Sequence, residues 1–103
     1  MHKYRAKPTT VDNIRFDSLK ESRRYVELKT MQQANLIRAL QVHPRFPIEV
    51  SGRHICTYEA DFSYFDALKN NWITEDCKGI RTAVYRLKKK LFETLYQREI
   101  LET

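Results

Sequence analysis

No stretch of this chain approaches the roughly 20 consecutive apolar residues that a membrane-spanning helix needs, and nothing at its start reads as a secretory leader. A membrane partner is therefore not expected. Cysteine is scarce. Cys56 and Cys77 fit no CxxC or CxxH pattern and read as two reduced thiols of a cytoplasmic protein. The three histidines also lack ligand spacing, so no zinc is expected. No internal repeat, low-complexity tract or second domain stands out.

What is present suffices for a single domain over residues 1–103 with a modest core. Hydrophobic residues make up 42% and aromatics 12%, enough to fold. Charged residues make up 31%, the net charge is +6 and the pI is near 9.5. Such a balance favours an anionic partner, most often nucleic acid. On charge alone, a soluble basic protein with no such partner stands on even terms. The basic arm at residues 1–8 has no periodicity and reads as a frayed, flexible terminus, ahead of an arm laid along phosphates.

Thr10-Val11, Asp12-Asn13 and Ile14-Arg15-Phe16 predict a small hairpin. A helix should follow from Ser18 to about Ala34, with Ser18 and Glu21 as a capping box and Asp17 at the positive helix end. Leu40 to Val50 alternates, with Leu40, Val42, Phe46, Ile48 and Val50 on one face. Pro44 and Pro47 suggest an edge strand or two short ones, and His43 reads as a solvated strand residue. Ser51-Gly52 should turn the chain. From Tyr58 to Gly79, two arms rich in aromatic and β-branched residues flank a polar bend at Lys69-Asn70-Asn71, which predicts a second hairpin. Thr82 is a plausible cap for a helix from about Ala83 to Arg98. Val84, Leu87, Leu91 and Leu95 are expected to pack on the sheet. Tyr85, Phe92 and Tyr96 make an adjacent stripe, either a wider core face or a dimer seam. The fold class is α/β, with a mixed central β-sheet flanked by helices.

Strand alternation puts Asp76 and Lys78 on one side, opposite Ile73, Glu75 and Cys77. If the neighbouring arm aims Asp61 the same way, two carboxylates and an ammonium converge, a set that can hold a divalent metal and a water beside a phosphate. On the residues alone, a cross-strand ion pair on a solvated face reads first. Glu75 is the alternative carboxylate if a bulge switches faces. Asp12 with Glu27-Leu28-Lys29 has the same loose spacing, but a helix would point Glu27 and Lys29 to different sides. Glu21 falls between Tyr25 and Leu28 on the apolar stripe, where a carboxylate is costly unless paired. It is either a cap or part of a site.

Asp61, followed by Asp76-Cys77-Lys78 on the next strand, resembles the signature of the PD-(D/E)XK nuclease superfamily, with Ala60 in place of the usual proline. The wider pattern Phe16-Asp17-Ser18, Glu21, Ala60-Asp61-Phe62 and Glu75-Asp76-Cys77-Lys78-Gly79, then a lysine-rich helix, resembles a family of small phage and prophage endonucleases within it. The likeness runs from Tyr4 to about Tyr96. It implies a restriction-endonuclease-like core and an endodeoxyribonuclease dependent on Mg2+ or Mn2+. Asp61, Asp76, Glu21 and the Cys77 backbone carbonyl are then the metal ligands. Lys78 orients the attacking water and offsets phosphate charge. Arg81, Arg86, Lys88, Lys89 and Lys90 would grip the DNA backbone. With no separate recognition domain, DNA structure rather than sequence should direct cutting, and similarity to phage junction resolvases suggests branched DNA such as a Holliday junction. Cutting two strands calls for a homodimer, through Tyr85, Phe92 and Tyr96, in the host cytoplasm. The alternative is a non-catalytic basic DNA-binding phage accessory protein; a nuclease acting on RNA is a third reading.

Overall fold

A computed structural model of the chain describes residues 8–77 and 81–103. The expected basic arm, up to Lys7, lies outside the described residues, as do Lys78, Gly79 and Ile80. The chain opens with an antiparallel hairpin of β1 (Thr9–Val11) and β2 (Ile14–Phe16). Its turn uses Asp12 and Asn13 at φ 52° and 63°, left-handed backbone that Asp and Asn tolerate better than most residues. Helix α1 (Leu19–Gln33) follows, and the Ser18 side chain accepts from the Glu21 N–H at 3.1 Å, the Ser18 half of the expected capping box; the Glu21 carboxylate turns to His43 instead of the Ser18 N–H. Asp12 is tied back to this helix, accepting from the Tyr25 hydroxyl at 2.8 Å and the Lys29 ammonium at 2.5 Å. The second spacing match in the sequence is thus a structural ion pair, and the Lys29 hydrogen bond holds the Asp12 carboxyl below its ordinary range.

The main sheet has four strands in the order β3 (Ile37–Val42), β6 (Phe62–Asp66), β7 (Asn71–Asp76), β8 (Ile100–Glu102). The first three are antiparallel and β8 runs parallel to β7, so the sheet is mixed. Helix α2 (Ala83–Tyr96) is the crossover that a parallel pair requires. Between β3 and β6 lies a hairpin of β4 (Arg45–Val50) and β5 (Arg53–Glu59), turned at Ser51 and Gly52 with φ 51° and 78°. The sequence did not suggest β8, and α2 ends at Tyr96 rather than Arg98.

β3 and β4 together pair with β5 and β6 as one long bent ribbon. At the bend, the His43 N–H donates to the Asp61 carbonyl at 2.9 Å and the Ala60 N–H to the Pro44 carbonyl at 3.1 Å. Two features loosen the ladder there. Pro44 has no N–H to donate, and His43 sits at φ 54°. The expected alternation survives on both arms except at Val50, which is 44% exposed beyond a register shift between Ile48 and Glu49, and the bend divides it between two cores. Leu40, Val42, Phe62 and Tyr64 join Phe16, Tyr25, Leu28 and Ile37 under α1. Phe46, Ile48, Tyr58 and Ala60 join Tyr85, Phe92 and Ile100 under α2.

Helix α2 keeps Leu91 of the expected aliphatic stripe against the core, and its main contact follows the wider core face that the sequence left open. Its aromatic stripe is the core face: Phe92 is fully buried, Tyr85 nearly so, and Phe92 packs on Phe46 and Tyr58 with ring centroids 4.8 and 5.2 Å apart. Val84 and Leu87 are instead 63% and 60% exposed. The dimer seam through Tyr85, Phe92 and Tyr96 is therefore ruled out for Tyr85 and Phe92, whose surface one chain already covers. Burying rings in preference to aliphatics removes more area per residue, roughly 150–250 Å2 each.

Candidate metal-binding and nuclease site

The candidate residues gather where β6 begins and β7 ends. Asp61 lies in the bend immediately before β6, and its N–H donates to the Glu75 carbonyl at 3.1 Å. Its Oδ2 accepts from the Cys77 N–H at 2.6 Å. The Asp61 carboxylate is therefore bonded to the peptide that follows Asp76, although 15 residues separate the two aspartates. Asp76 ends β7, is fully buried, and accepts from the Tyr58 hydroxyl. Both aspartates act on that phenol. Burial first, then the Asp76 hydrogen bond, raises its pKa, and the Asp61 charge adds to the effect. Asp76 is thus fully buried and Asp61 half-buried, not on the solvated face expected from the residues alone; Lys78, the cation of the expected ion pair, lies outside the described residues.

Glu21 is buried in the first turn of α1, with Oε1 3.2 Å from His43 Nε2. His43 is therefore half-buried against a carboxylate, not a solvated strand residue. It also packs on Phe16 at 5.7 Å. Its position follows from the bend, which local alternation does not show. Cys77 stands between these acidic groups. Burial pushes its thiol up, opposed by a hydrogen bond with Thr103, and the Asp61 and Glu21 charges push it further.

Glu75, the alternative ligand, is excluded from the pair by regular register. Phe62 faces Glu75 and Ser63 faces Thr74 without a bulge, so Glu75 turns into the α1 layer. It is fully buried and held by Arg24 through a fork, Nε to Oε1 at 2.8 Å and Nη2 to Oε2 at 2.6 Å, while the Tyr64 hydroxyl also donates to it. Arg24 is thus a long-range partner of Glu75, 51 residues away in the chain. An arginine on the α1 side of a strand glutamate was the only sequence signal, and many exposed arginines share it.

The five candidate phosphate-binding cations fall into two groups. Glu102 on β8 engages Arg81 at 2.9 and 3.0 Å and Lys89 at 3.6 Å, and Lys88 donates to the Thr57 carbonyl at 3.1 Å. Arg86 and Lys90 are exposed on the outer side of α2. The Arg81 bond, then that of Tyr85, pulls the Glu102 carboxyl down to about 2.

The family described as a protein of unknown function, DUF1064, matches residues 1–102. The chain belongs to this family. No curated protein and no solved structure matches the chain. In this DUF1064 member the chemical possibilities therefore rest on the groups just described. Among the described residues no three His, Cys, Asp or Glu side chains form a metal-holding group. A Mg2+ ion does not need one. It keeps several waters and is commonly held by one or two carboxylates plus substrate phosphates. Asp61 and Asp76 are hard oxygen donors of that kind, so their chemistry fits the ion.

Proposed function

We propose that this chain is a metal-dependent DNA endonuclease with a PD-(D/E)XK-type core. The observation that carries the proposal is the hydrogen bond from the Cys77 N–H to Asp61, which draws together the two halves of the Asp61 and Asp76-Cys77-Lys78 motif. Asp61 and Asp76 would hold a Mg2+ or Mn2+ ion, with the Cys77 carbonyl and Glu21 (directly or through water) as further donors, and the ion would supply charge neutralisation at the scissile phosphate.

The residues around that ion have separate tasks. The Tyr58 hydroxyl and the Cys77 N–H fix one oxygen of each aspartate, so the acidic pair is oriented before substrate arrives. Lys78 is the proposed water-positioning group, acting through its charge and hydrogen bonds rather than as a base. A neighbouring carboxylate favours its charged form. Arg86 and Lys90 contact backbone phosphates from the outer side of α2. DNA shape rather than base sequence selects the cut, with branched DNA the proposed substrate. Two copies of the chain would serve two strands.

The test uses linear and branched DNA with Mg2+, Mn2+ or EDTA, comparing the natural chain with Asp61→Asn and Asp76→Ala. The expected result is cutting that needs metal, falls at least about 100-fold in both variants, and leaves DNA binding in place. Binding without cutting under every metal would overturn the enzyme reading and leave a basic DNA-binding protein. Cutting of RNA but not DNA would overturn the substrate assignment.

A further inference from the structure

The far end of the main sheet carries an open groove of about 790 Å3, between the β6–β7 turn and the segment joining α2 to β8. Its volume falls within the range of sites that take small ligands, about 300–1,000 Å3. Trp72 lines it and is 43% exposed, an unusual place for the largest side chain of a small domain. Phe65 faces Trp72 across the β6–β7 ladder, edge to face at 5.5 Å. The Arg38 guanidinium lies 4.3 Å from the Phe65 ring centre and that of Arg98 5.3 Å from the Trp72 ring centre. Lys69, Asn70 and Asn71 form another wall. The lining carries two cations, Lys69 and Arg98, against one carboxylate, Glu99.

We propose that this groove binds unpaired nucleotides of a single-stranded nucleic-acid segment, with a base stacked on Trp72. With Arg98 over one side of the ring, the exposed remainder of Trp72 is the stacking surface, which accepts any base and gives little sequence preference. Arg98 and Lys69 match a phosphate backbone in charge. The Asn70 and Asn71 amides can donate to and accept from a base edge. A base within a duplex has its faces covered by its neighbours, so the platform favours unpaired strands. Trp72 and Asp76 lie on the same strand, four residues and about 13 Å apart. That matches roughly four stacked nucleotides. A strand cut at the aspartate pair could thus be held by its unpaired flank at Trp72. This role as a reader of forked substrates rests on the nuclease reading; the binding itself does not.

Trp72 is the chain's single tryptophan, so its emission reports the groove directly. The full chain in EDTA is titrated with a short oligo-dT strand, a blunt duplex of equal length and a poly-glutamate peptide, with affinity followed separately by anisotropy of labelled DNA. Oligo-dT is expected to quench the emission and the other two to do so weakly. Trp72→Ala should weaken oligo-dT binding about 5- to 150-fold, Trp72→Phe much less, and Arg98→Ala about 5-fold. Circular dichroism checks that each variant is folded. No quenching, equal quenching by duplex or poly-glutamate, or unchanged affinity in folded Trp72→Ala overturns the proposal. Because EDTA removes metal, this outcome is separate from the cleavage test: quenching without cutting would leave the platform and remove the nuclease, and the reverse result would do the opposite.

Discussion

Replacing Arg24 should damage this domain more than replacing any other surface-facing cation described above. Its guanidinium makes two parallel bonds to a fully buried carboxylate, Glu75, and has a side chain only 25% exposed. In Arg24→Ala that carboxylate stays buried and loses its cation. Breaking one side of such a pair costs about 3–5 kcal/mol. A chain of 103 residues has roughly 5–15 kcal/mol of total stability. The variant therefore forfeits a large share of it, and its melting temperature should fall by at least about 12 °C. Urea unfolding of the natural chain, Arg24→Ala, Glu75→Leu and Arg24→Met/Glu75→Leu measures the effect as a double-mutant cycle. The double variant should recover most of the loss, because removing both charges also removes the desolvation cost. If Arg24→Ala costs under about 1 kcal/mol, or the double variant is no better than the singles, the ion pair does not anchor β7 to α1. The effect bears on function because Asp76 is the next residue along that strand.

Other measurements address the remaining layers. Phe92→Ala should cost about 3–5 kcal/mol in the same unfolding assay, whereas Leu87→Ala should stay within about 0.5 kcal/mol, an order opposite to the aliphatic-stripe expectation. Ser18→Ala should cost about 1 kcal/mol by removing the cap on the Glu21 N–H. Glu102→Gln should be destabilised at neutral pH by about 0.2–1 kcal/mol, the scale of exposed pairs. The Glu102 carboxyl is depressed on folding, so its contribution is present above the unfolded value near 4.5 and fades as pH falls toward about 2. Acid titrations of the two proteins should converge over that window.

Local chemistry made several elements legible. Ser18 and Thr82 cap their helices because a side-chain oxygen before an apolar pattern has few better uses, and the Thr82 hydroxyl accepts from Tyr85 at 3.1 Å. Asp12-Asn13 and Ser51-Gly52 mark turns because they tolerate left-handed backbone. The contact between Asp61 and the Cys77 peptide was legible only through the β6–β7 hairpin. What stayed hidden is long-range. Arg24 and Glu75 meet through a helix docking on a strand, and neither neighbourhood encodes that encounter. Alternation through Leu40–Val50 and Tyr58–Tyr64 is continuous, so nothing in its period announces a bend at His43 and Ala60. Helix α2 has two apolar stripes, and periodicity alone cannot rank them. The choice falls to the partner surface: Phe46 and Tyr58 offer rings that Phe92 fits.

Asp61 occupies the hinge of the bent ribbon, with Ala60 rooted in the α2 core and Phe62 in the α1 core. A carboxylate mounted on such a seam inherits its aim from both sides. Trimming Ile48 on one side or Leu28 on the other would tilt it without either change coming near the acidic pair. Directed evolution of this chain should accordingly find modifiers of Asp61 scattered through the two interiors, more often than on the surface around it.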